Sequence, residues 1–452
     1  MSRFLYSDSL DMVDPGFDFA RERFTTGRTD PFNDDVFAHE FFGTAPYDGI
    51  LLSYATVGHP GEPSAGGRYS FSRAMRLRRV GAKRFFRCEE RPADWMMMGD
   101  CGSFSYARET DPRWDVDSVL EFYRDAQFTH GCSLDHIVFS FDETVSGLSG
   151  GTDQDRYRFD VTLENAEAFL RGAADLGPGF TPIGVVQGWS PDSMAEAARR
   201  LVAMGYDYIA VGGMVPLKVP QIKSALAAVR EAAPDVAMHV LGFAKADNIH
   251  EFQRFGIDSF DTTSPLLRAF KDAKSNYYLR NPDGGMEYFT AIRIPQAIEN
   301  RDLNALSRMG VTNQEQLQRL EREALEAVRG YARHEVGLET TLDAVMTYAA
   351  AGIDGSDARG AEAQARLPGA ASKAGLRERY ERTLASRCWD RCGCRACGEI
   401  GVEIVLYRGL QRNRRRGYHN LAEFHSLVRD LRCEALPELE PEPAVPAYGP
   451  RP

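Results

Sequence analysis

Short apolar runs alternate with amphipathic helical segments between residues 48 and 261, and this alternation constrains the fold more than any other feature. Seven runs are predicted strands: GILLSY (49–54), WMMMGD (95–100), HIVFSFDE (136–143), TPIGVVQG (181–188), YDYIAVGG (206–213), AMHVLGF (237–243) and GIDSFD (256–261). The segments between them are helical, as at 190–205, where Ser190 is a predicted N-cap and Gly205 a stop. Continuous apolar strands that alternate with helices indicate a parallel sheet covered by helices.

The predicted fold is an α/β protein of the TIM (β/α)8 barrel class, with EYFTAIRI (287–294) as the candidate eighth strand. An open doubly wound sheet is the alternative. No GxGxxG motif follows the first predicted strand, which disfavours a dinucleotide-binding domain.

The rest of the chain is arranged around this barrel, which is expected to span 46–296. Residues 1–45 are acidic and aromatic without a clear period, and they are interpreted as an N-terminal extension. A helical insertion is predicted at 297–387, because 313–335 carries an apolar stripe with a 3.6-residue period. The expected organisation ends with a small zinc-binding subdomain at 388–433 and a disordered tail, rich in Pro and Glu, at 434–452.

Four of the eight cysteines lie within CWDRCGCRAC (388–397). The predicted metal ligands are Cys392, Cys394, Cys397 and His419, because three thiolates and one imidazole complete a tetrahedral shell for a structural Zn²⁺. Cys388 could replace one ligand, and His425 could compete with His419. Buried cysteines without a metal are the alternative.

The N-terminus lacks the apolar core of a secretion signal, and no stretch approaches the roughly 18–20 apolar residues that a membrane helix needs. A cytoplasmic location with no membrane partner is therefore expected, and structural disulfides are improbable there.

The net charge of −11 argues mildly against a nucleic-acid partner, but phosphate contacts depend on local charge. Two segments are strongly basic, 73–87 and 408–419. The predicted phosphate contacts are Arg412, Arg414, Arg415 and Arg416, and a solvated helix face is the alternative.

Acidic and amide side chains follow the predicted strands at the end where TIM barrels carry their chemistry. They are Asp100, Asp142 with Glu143, Gln187 and Asp261, and the Gly212–Gly213 pair lies at the same end. One strand-end Asp is often only a helix N-cap, but several at one face suit a glycosyl-transfer site.

Six motifs in a fixed order resemble those of the tRNA-guanine transglycosylases over most of the barrel and the cysteine cluster. They are DCGSFS (100–105), FDE (141–143), VQG (186–188), GGM (212–214), FD (260–261), and the cysteines of 392–397 with the His-Asn pair 419–420. The resemblance implies that guanine in a nucleic acid is exchanged for a 7-deazaguanine such as preQ0, with retention at C1′. The target nucleotide would have to be flipped out of its stack.

The resemblance also implies a role for each matching residue. Asp261 would be the nucleophile that attacks C1′, and Asp100 would take the N9 proton of the incoming base. The remaining residues would bind the base: Asp142 at its N1 and 2-amino edge, Gln187 with Gly212 and Gly213 at O6, and Phe104 with Met214 on the two ring faces.

The chain departs from the tRNA enzymes in three places. TTSPLLRAFKDAKSN follows Asp261 instead of Thr-Arg-Asn-Ala-Arg, a helical insertion of roughly one hundred residues lies between Asp261 and Cys392, and the gap from Cys397 to His419 is shorter. These departures resemble the DNA-modifying branch of the superfamily, the DpdA proteins, which act beside an ATPase-like partner, DpdB. The alternatives are the same reaction on tRNA, a non-catalytic nucleic-acid-binding subunit, and an unrelated small-molecule barrel enzyme.

Overall fold

The computed structural model describes residues 2–60, 68–243, 248–308, 310, 313–357 and 373–434. The tail predicted to be disordered falls outside the described residues from position 435 onward.

Eight parallel strands close into a barrel in sequence order. They are β1 Arg3–Ser7, β2 Gly49–Ser53, β3 Met96–Asp100, β4 His130–Cys132, β5 Thr181–Val186, β6 Tyr208–Val211, β7 Ala237–Val240 and β8 Ser259–Thr262. Strand β1 closes the barrel by pairing with β2 on one side and β8 on the other. The predicted TIM-barrel class is confirmed, and the open sheet is not.

Two predicted strands, 136–143 and 287–294, are not strands of the barrel, and one barrel strand was not predicted. The remaining barrel strand is β1, inside the expected N-terminal extension, so the barrel begins at Arg3 instead of residue 46. Residues 287–294 contribute instead to β10 Met286–Phe289, which pairs with β9 Tyr277–Arg280, and to β11 Ile292–Arg293, which pairs with β12 Leu406–Tyr407. The fourth strand lies at β4, before the predicted run 136–143.

Eighteen helices occur in the described part of the chain. They are α1 Pro31–Asp34, α2 Ala38–Phe42, α3 Tyr54–Val57, α4 Phe71–Val80, α5 Ala82–Phe85, α6 Val116–Ala126, α7 Asp153–Ala173, α8 Pro191–Met204, α9 Val219–Ala232, α10 Ile249–Phe252, α11 Ser264–Lys271, α12 Arg301–Arg308, α13 Gln314–Ala332, α14 Leu338–Asp357, α15 Lys373–Ser386, α16 Cys388–Arg391, α17 Arg395–Ile400 and α18 Gly409–Glu434. Helices α12 to α15 fall within the range predicted as a helical insertion.

Side chains alternate between two apolar layers along each strand, as the two-residue period of a strand requires. Leu5, Leu51, Met98, Ile183 and Val185 belong to a cluster inside the barrel. Their neighbours along the strands face outward into the larger core between the sheet and the helices. The inward set determines which side chains reach the mouth of the barrel.

Helix α18 covers the outer side of β1 and β8. The ring of Phe424 lies 5.1 Å from that of Phe4 and 6.1 Å from that of Phe260, both in edge contacts. Because only the short helices α1 and α2 connect β1 to β2, the C-terminal helix supplies cover at this part of the wall. No helix among the described residues is long and apolar enough to cross a membrane.

Candidate active site and metal centre

Polar side chains gather inside the barrel at the carboxyl ends of its strands. Asp100 follows the inward-facing Met98 by two positions, Gln187 follows Val185, and Asp261 follows Ser259, so strand alternation turns all three toward the barrel axis. The structure therefore brings together Asp100, Gln187 and Asp261, as predicted from their positions at strand ends.

Asp261 is held from three sides and is only 6% exposed. Its Oδ2 accepts a hydrogen bond from Ser7 Oγ at 2.5 Å. Its Oδ1 lies 2.8 Å from the backbone N of Gly242 and 3.2 Å from His239 Nε2. Contacts to both carboxylate oxygens fix the orientation of Asp261, as a nucleophile requires.

His239 and Ser7 were not predicted from the sequence. His239 Nδ1 lies 2.6 Å from Ser259 Oγ, which in turn lies 2.6 Å from Tyr208 Oη, so the imidazole is held at both nitrogens. His239 lies two positions before the inward-facing Leu241 in a predicted strand, and this alternation was the signal available. Ser7 belongs to the strand that the sequence prediction missed.

Asp100 lies in a different environment from Asp261. Burial, then the negative charges of Asp261 and Asp135, raise the pKa of Asp100 to about 7. Its Oδ1 is buried and has no hydrogen-bond partner among the described residues. A carboxyl group that titrates near neutral pH and has one unpaired oxygen can exchange a proton with a ligand.

Asp135 is a buried carboxylate that the sequence prediction missed. Its Oδ2 accepts from Gln187 Nε2 at 2.7 Å, and its Oδ1 accepts from Cys101 Sγ at 2.9 Å. Because Gln187 Oε1 accepts from the backbone N of Val138 at 3.2 Å, the amide orientation of Gln187 is fixed. The prediction placed the fourth strand at 136–143, so Asp135 was not recognised as a residue at a strand end. Asp135 follows the actual strand β4 by three positions.

The Gly212–Gly213 pair leaves room for the Gln187 amide. A Cβ at Gly212 would lie 2.3 Å from Gln187 Nε2, closer than any van der Waals contact allows. Gly213 has a φ of +73°, in the left-handed region that favours glycine. The turn after β6 thus lets the backbone approach Gln187 closely, as the predicted base-binding role requires.

Three other predicted base-binding residues lie at different depths. Asp142 is exposed, and its Oδ1 accepts from the backbone N and Oγ1 of Thr144 at 2.9 and 2.7 Å, so the structure leaves it outside the buried group. Phe104 is 54% exposed, whereas Met214 is packed in the core at 2%. The ring beside Phe104 is that of Phe139, with centroids 5.8 Å apart.

The second cluster contains the four predicted metal ligands. The donor atoms of Cys392, Cys394, Cys397 and His419 all lie within 4.8 Å of one another. Each Sγ lies 3.4 Å from His419 Nδ1. Ideal tetrahedral Zn–S and Zn–N bonds place sulfur and nitrogen about 3.6 Å apart, so the donor set fits such an ion.

Surrounding groups orient His419 for metal binding. Its Nε2 lies 2.5 Å from the carbonyl O of Tyr278, and a proton on Nε2 leaves Nδ1 as the free donor toward the thiols. The ring of Tyr277 stacks on the imidazole at 4.0 Å. The alternative ligands are not in the cluster: Cys388 is buried outside it, and His425 Nε2 lies 3.3 Å from Asp48.

The prediction that the arginine run binds phosphate is wrong for its buried members. Arg412, Arg415 and Arg416 are 2%, 1% and 0% exposed, and the side chain of Arg414 is 19% exposed. Their guanidinium groups bind partners within the chain, so little of this run is available to a nucleic acid.

The partners of these arginines come from distant parts of the sequence. Arg412 pairs with Glu22 at 2.6 Å and with Glu403 at 2.7 Å. Arg415 pairs with Glu399 at 3.0 Å, and Arg416 donates to the carbonyl oxygens of Leu406 and Ala269 at 3.0 and 2.7 Å; Arg414 donates to that of Met12 at 2.7 Å. The run therefore joins the N-terminal segment and the cysteine cluster to the barrel.

Comparisons with known proteins agree with this geometry. Residues 135–434 match the family described as queuine tRNA-ribosyltransferase. The chain is also 39% identical over 431 residues to a protein of Salmonella montevideo described as a DNA-guanine transglycosylase, and the match covers 94% of this chain and 96% of that protein. The chain therefore belongs to the tRNA-guanine transglycosylase family and is a guanine transglycosylase.

Proposed function

We propose that this protein exchanges guanine in DNA for a 7-deazaguanine base such as preQ0, through a covalent intermediate on Asp261. The observation that carries the proposal is the pair of inward carboxylates at one barrel mouth: Asp261 held by donors, and Asp100 with an unpaired oxygen. DNA as the polymer is supported by the described activity of the Salmonella relative. The replacement of Thr-Arg-Asn-Ala-Arg after Asp261 also supports it.

The first half of the reaction opens the glycosidic bond. A carboxylate oxygen of Asp261 attacks C1′ of the flipped nucleotide, and the C1′–N9 bond breaks with its electron pair passing to guanine. Protonated Asp100 gives its proton to the departing base. A pKa of about 7 supports this role, because both protonation states of Asp100 are populated at neutral pH.

The second half reverses these steps with a different base. The incoming 7-deazaguanine loses its N9 proton to Asp100, and N9 displaces Asp261 from C1′. The two displacements restore the original configuration at C1′ and return both carboxyl groups to their starting states.

Base recognition involves the groups around Gln187. Since one N–H of Gln187 is bound by Asp135, the amide presents its second N–H to O6 of the base, and the backbone of Gly213 lies on the same side. Phe104 stacks on the ring, with Phe139 beside it. Asp142 remains the candidate for the N1 and 2-amino edge, and this role requires its carboxylate to turn from Thr144 toward the base.

The four donors of the cysteine cluster hold a zinc ion with a structural role. Three thiolates and one imidazole leave no open coordination position for a substrate. A DpdB-type ATPase is the expected partner, and it follows from the resemblance to the DNA-modifying branch alone.

Transfer into tRNA is the second candidate function, because the matching family is described by a tRNA activity. Purified protein supplied with radiolabelled preQ0 or guanine, plasmid DNA and bulk tRNA in parallel distinguishes the two polymers. We expect label in DNA alone. Label in tRNA alone would refute DNA as the substrate.

Asp261→Asn is expected to abolish exchange, because the amide cannot form the glycosyl ester. Peptide mapping of wild-type enzyme quenched during turnover should find the nucleic-acid adduct on Asp261. Asp142→Asn serves as the control: it should weaken base binding while the adduct still forms on Asp261. An adduct on Asp100 or Asp142 would reverse the assignment of roles.

A further inference from the structure

Two adjoining hollows form a basic groove beside the barrel mouth, and the site described above does not use it. The first has a volume of about 500 Å³ and contains Arg268, Lys271 and Lys274 in its lining. The second, of about 530 Å³, shares Lys274 and adds Arg379 and Arg382. These five cations define the groove, and the two acidic residues in its lining are Asp272 and Glu287.

The groove starts close to the nucleophile. Helix α11 begins at Ser264, three positions after Asp261, and Ser264, Leu267, Arg268 and Lys271 line the first hollow. These positions are spaced three or four apart and so share one helix face. The helix rises about 1.5 Å per residue, so Lys271 lies about 10 Å along the helix from Ser264.

Several of these charges are not neutralised within the protein. Lys271 and Lys274 are exposed, and neither forms an ion pair in the described parts of the chain. Arg379 Nε is buried and has no hydrogen-bond partner in the same residues. Arg382 pairs with Glu287 at 2.9 Å, and Asp272 Oδ1 is occupied by the backbone N of Lys274 and Ser275.

This local excess of positive charge contrasts with the net charge of −11. The second hollow lies between the β9–β10 hairpin and α15, so a helix of the long segment between Asp261 and the cysteine cluster forms one of its walls. A run of cations that leads away from a reaction site suits an extended polyanion better than a single small anion.

We propose that the basic groove binds the sugar–phosphate backbone of the DNA strand that flanks the flipped nucleotide. This inference rests on the proposed function, because a nucleotide buried at Asp261 must leave its neighbours outside the barrel mouth. Lys271 and Lys274 contact phosphates nearest the site, and Arg379 contacts the strand farther along. The segment that carries α15 thereby becomes part of the nucleic-acid surface.

The test compares two double variants that remove the same charge. Lys271→Ala/Lys274→Ala changes the groove, whereas Arg171→Ala/Arg199→Ala removes two exposed arginines on the outer helices α7 and α8. DNA binding is measured by fluorescence anisotropy over a range of salt concentrations, and preQ0 incorporation into DNA is measured separately. Arg379→Ala is tested in the same assays.

The groove variant should bind DNA about tenfold or more weaker near 0.1 M salt. Its plot of log K against log salt should flatten by about 1.4 to 1.8, since each lost phosphate contact contributes about 0.7 to 0.9. Incorporation of preQ0 at subsaturating DNA should fall in parallel with the loss of binding. Arg379→Ala should flatten the slope by about half as much, and the outer-helix control should leave it unchanged.

An unchanged slope in the groove variant, or an equal change in the control, overturns the proposal for the groove. If wild type then still labels DNA, the proposed function stands without it. Label in tRNA alone overturns DNA as the substrate, and the proposal for the groove falls with it.

Discussion

At the scale of single residues, the two inward aspartates differ because their surroundings differ. Ser7, His239 and the backbone of Gly242 surround Asp261 with hydrogen-bond partners. Asp100 has one orphaned oxygen and a pKa raised by burial and by the charge of Asp261. The same side chain can thus serve as nucleophile in one place and as proton carrier in the other.

The raised pKa of Asp100 predicts a pH-dependent stability. An unfolded Asp titrates near pH 3.9, whereas burial and the charge of Asp261 raise the pKa of folded Asp100 to about 7. Its contribution to folding is complete below about pH 4 and is lost as the pH rises through 7. Asp100→Asn cannot ionise, so its melting temperature relative to wild type should be higher at pH 8 than at pH 5. Between pH 5 and pH 8 the difference corresponds to about 3 kcal/mol, because about two pH units of this range lie below the folded pKa.

The control for this measurement is Asp142→Asn, because Asp142 is exposed and the hydrogen bonds from Thr144 lower its pKa. Its stability relative to wild type should change little between pH 5 and pH 8, since Asp142 is ionised throughout. A melting-temperature difference for Asp100→Asn that stays constant across this range would show that Asp100 is charged in the folded protein at pH 5.

At the scale of elements, strands within clear apolar runs were predicted well, and strands outside such runs were not. Strands β5, β6 and β7 lie inside predicted runs, and most residues of each strand are buried. Strand β1 lies in the acidic and aromatic segment 1–45, in which no clear period was found. Strand β4 has the sequence His-Gly-Cys, which carries little apolar character, while the buried segment after it resembled a strand.

The arginine run shows a second limit of sequence prediction at this scale. Four arginines in five positions have the composition of a phosphate-binding surface. The acidic partners of Arg412, Glu22 and Glu403, lie in other elements, and the pairing with Glu22 appears only once the N-terminal segment folds against α18. The strand-end residues Asp100 and Asp261 were predicted, because a parallel barrel fixes the direction of its strand ends. Ser7 and Asp135 were not predicted, because the strand that places Ser7 was missed and the strand before Asp135 was misplaced.

Arg412→Ala should therefore reduce stability and leave the salt dependence of DNA binding unchanged. The substitution leaves Glu22 and Glu403 with one fewer cation in a buried network, which costs about 3 kcal/mol or more. Urea unfolding measures the loss, and Arg171→Ala, an exposed arginine on α7, should stay within about 0.5 kcal/mol of wild type. If Arg412→Ala is as stable as wild type and its DNA binding depends less on salt, the interpretation of Arg412 as a phosphate contact is restored.

At the scale of the whole molecule, the cysteine cluster and the barrel are one structural unit. Helix α18 carries His419 toward the thiols and Phe424 onto the rings of Phe4 and Phe260. The β11–β12 pairing and the arginine network join the same region to the segment after the barrel and to the N-terminal segment. The barrel wall at β1 and β8 consequently packs against a helix that also contributes one of the four candidate metal ligands.

This arrangement predicts that metal loss destabilises the barrel as well as the cluster. Cys394→Ala removes one of four ligands, and structural zinc sites contribute roughly 10 to 16 kcal/mol in isolated zinc-finger peptides, so the loss should be large. Elemental analysis should find about one zinc per chain in wild type and much less in the variant. Thermal unfolding of the variant should show one transition at a lower temperature, because α18 covers β1 and β8.

Cys388→Ala is the matched control, since Cys388 is buried beside the cluster but is not among the four candidate ligands. This variant should retain the metal. If wild-type protein without metal melts at the same temperature as wild-type protein with metal, packing alone holds α18 in place.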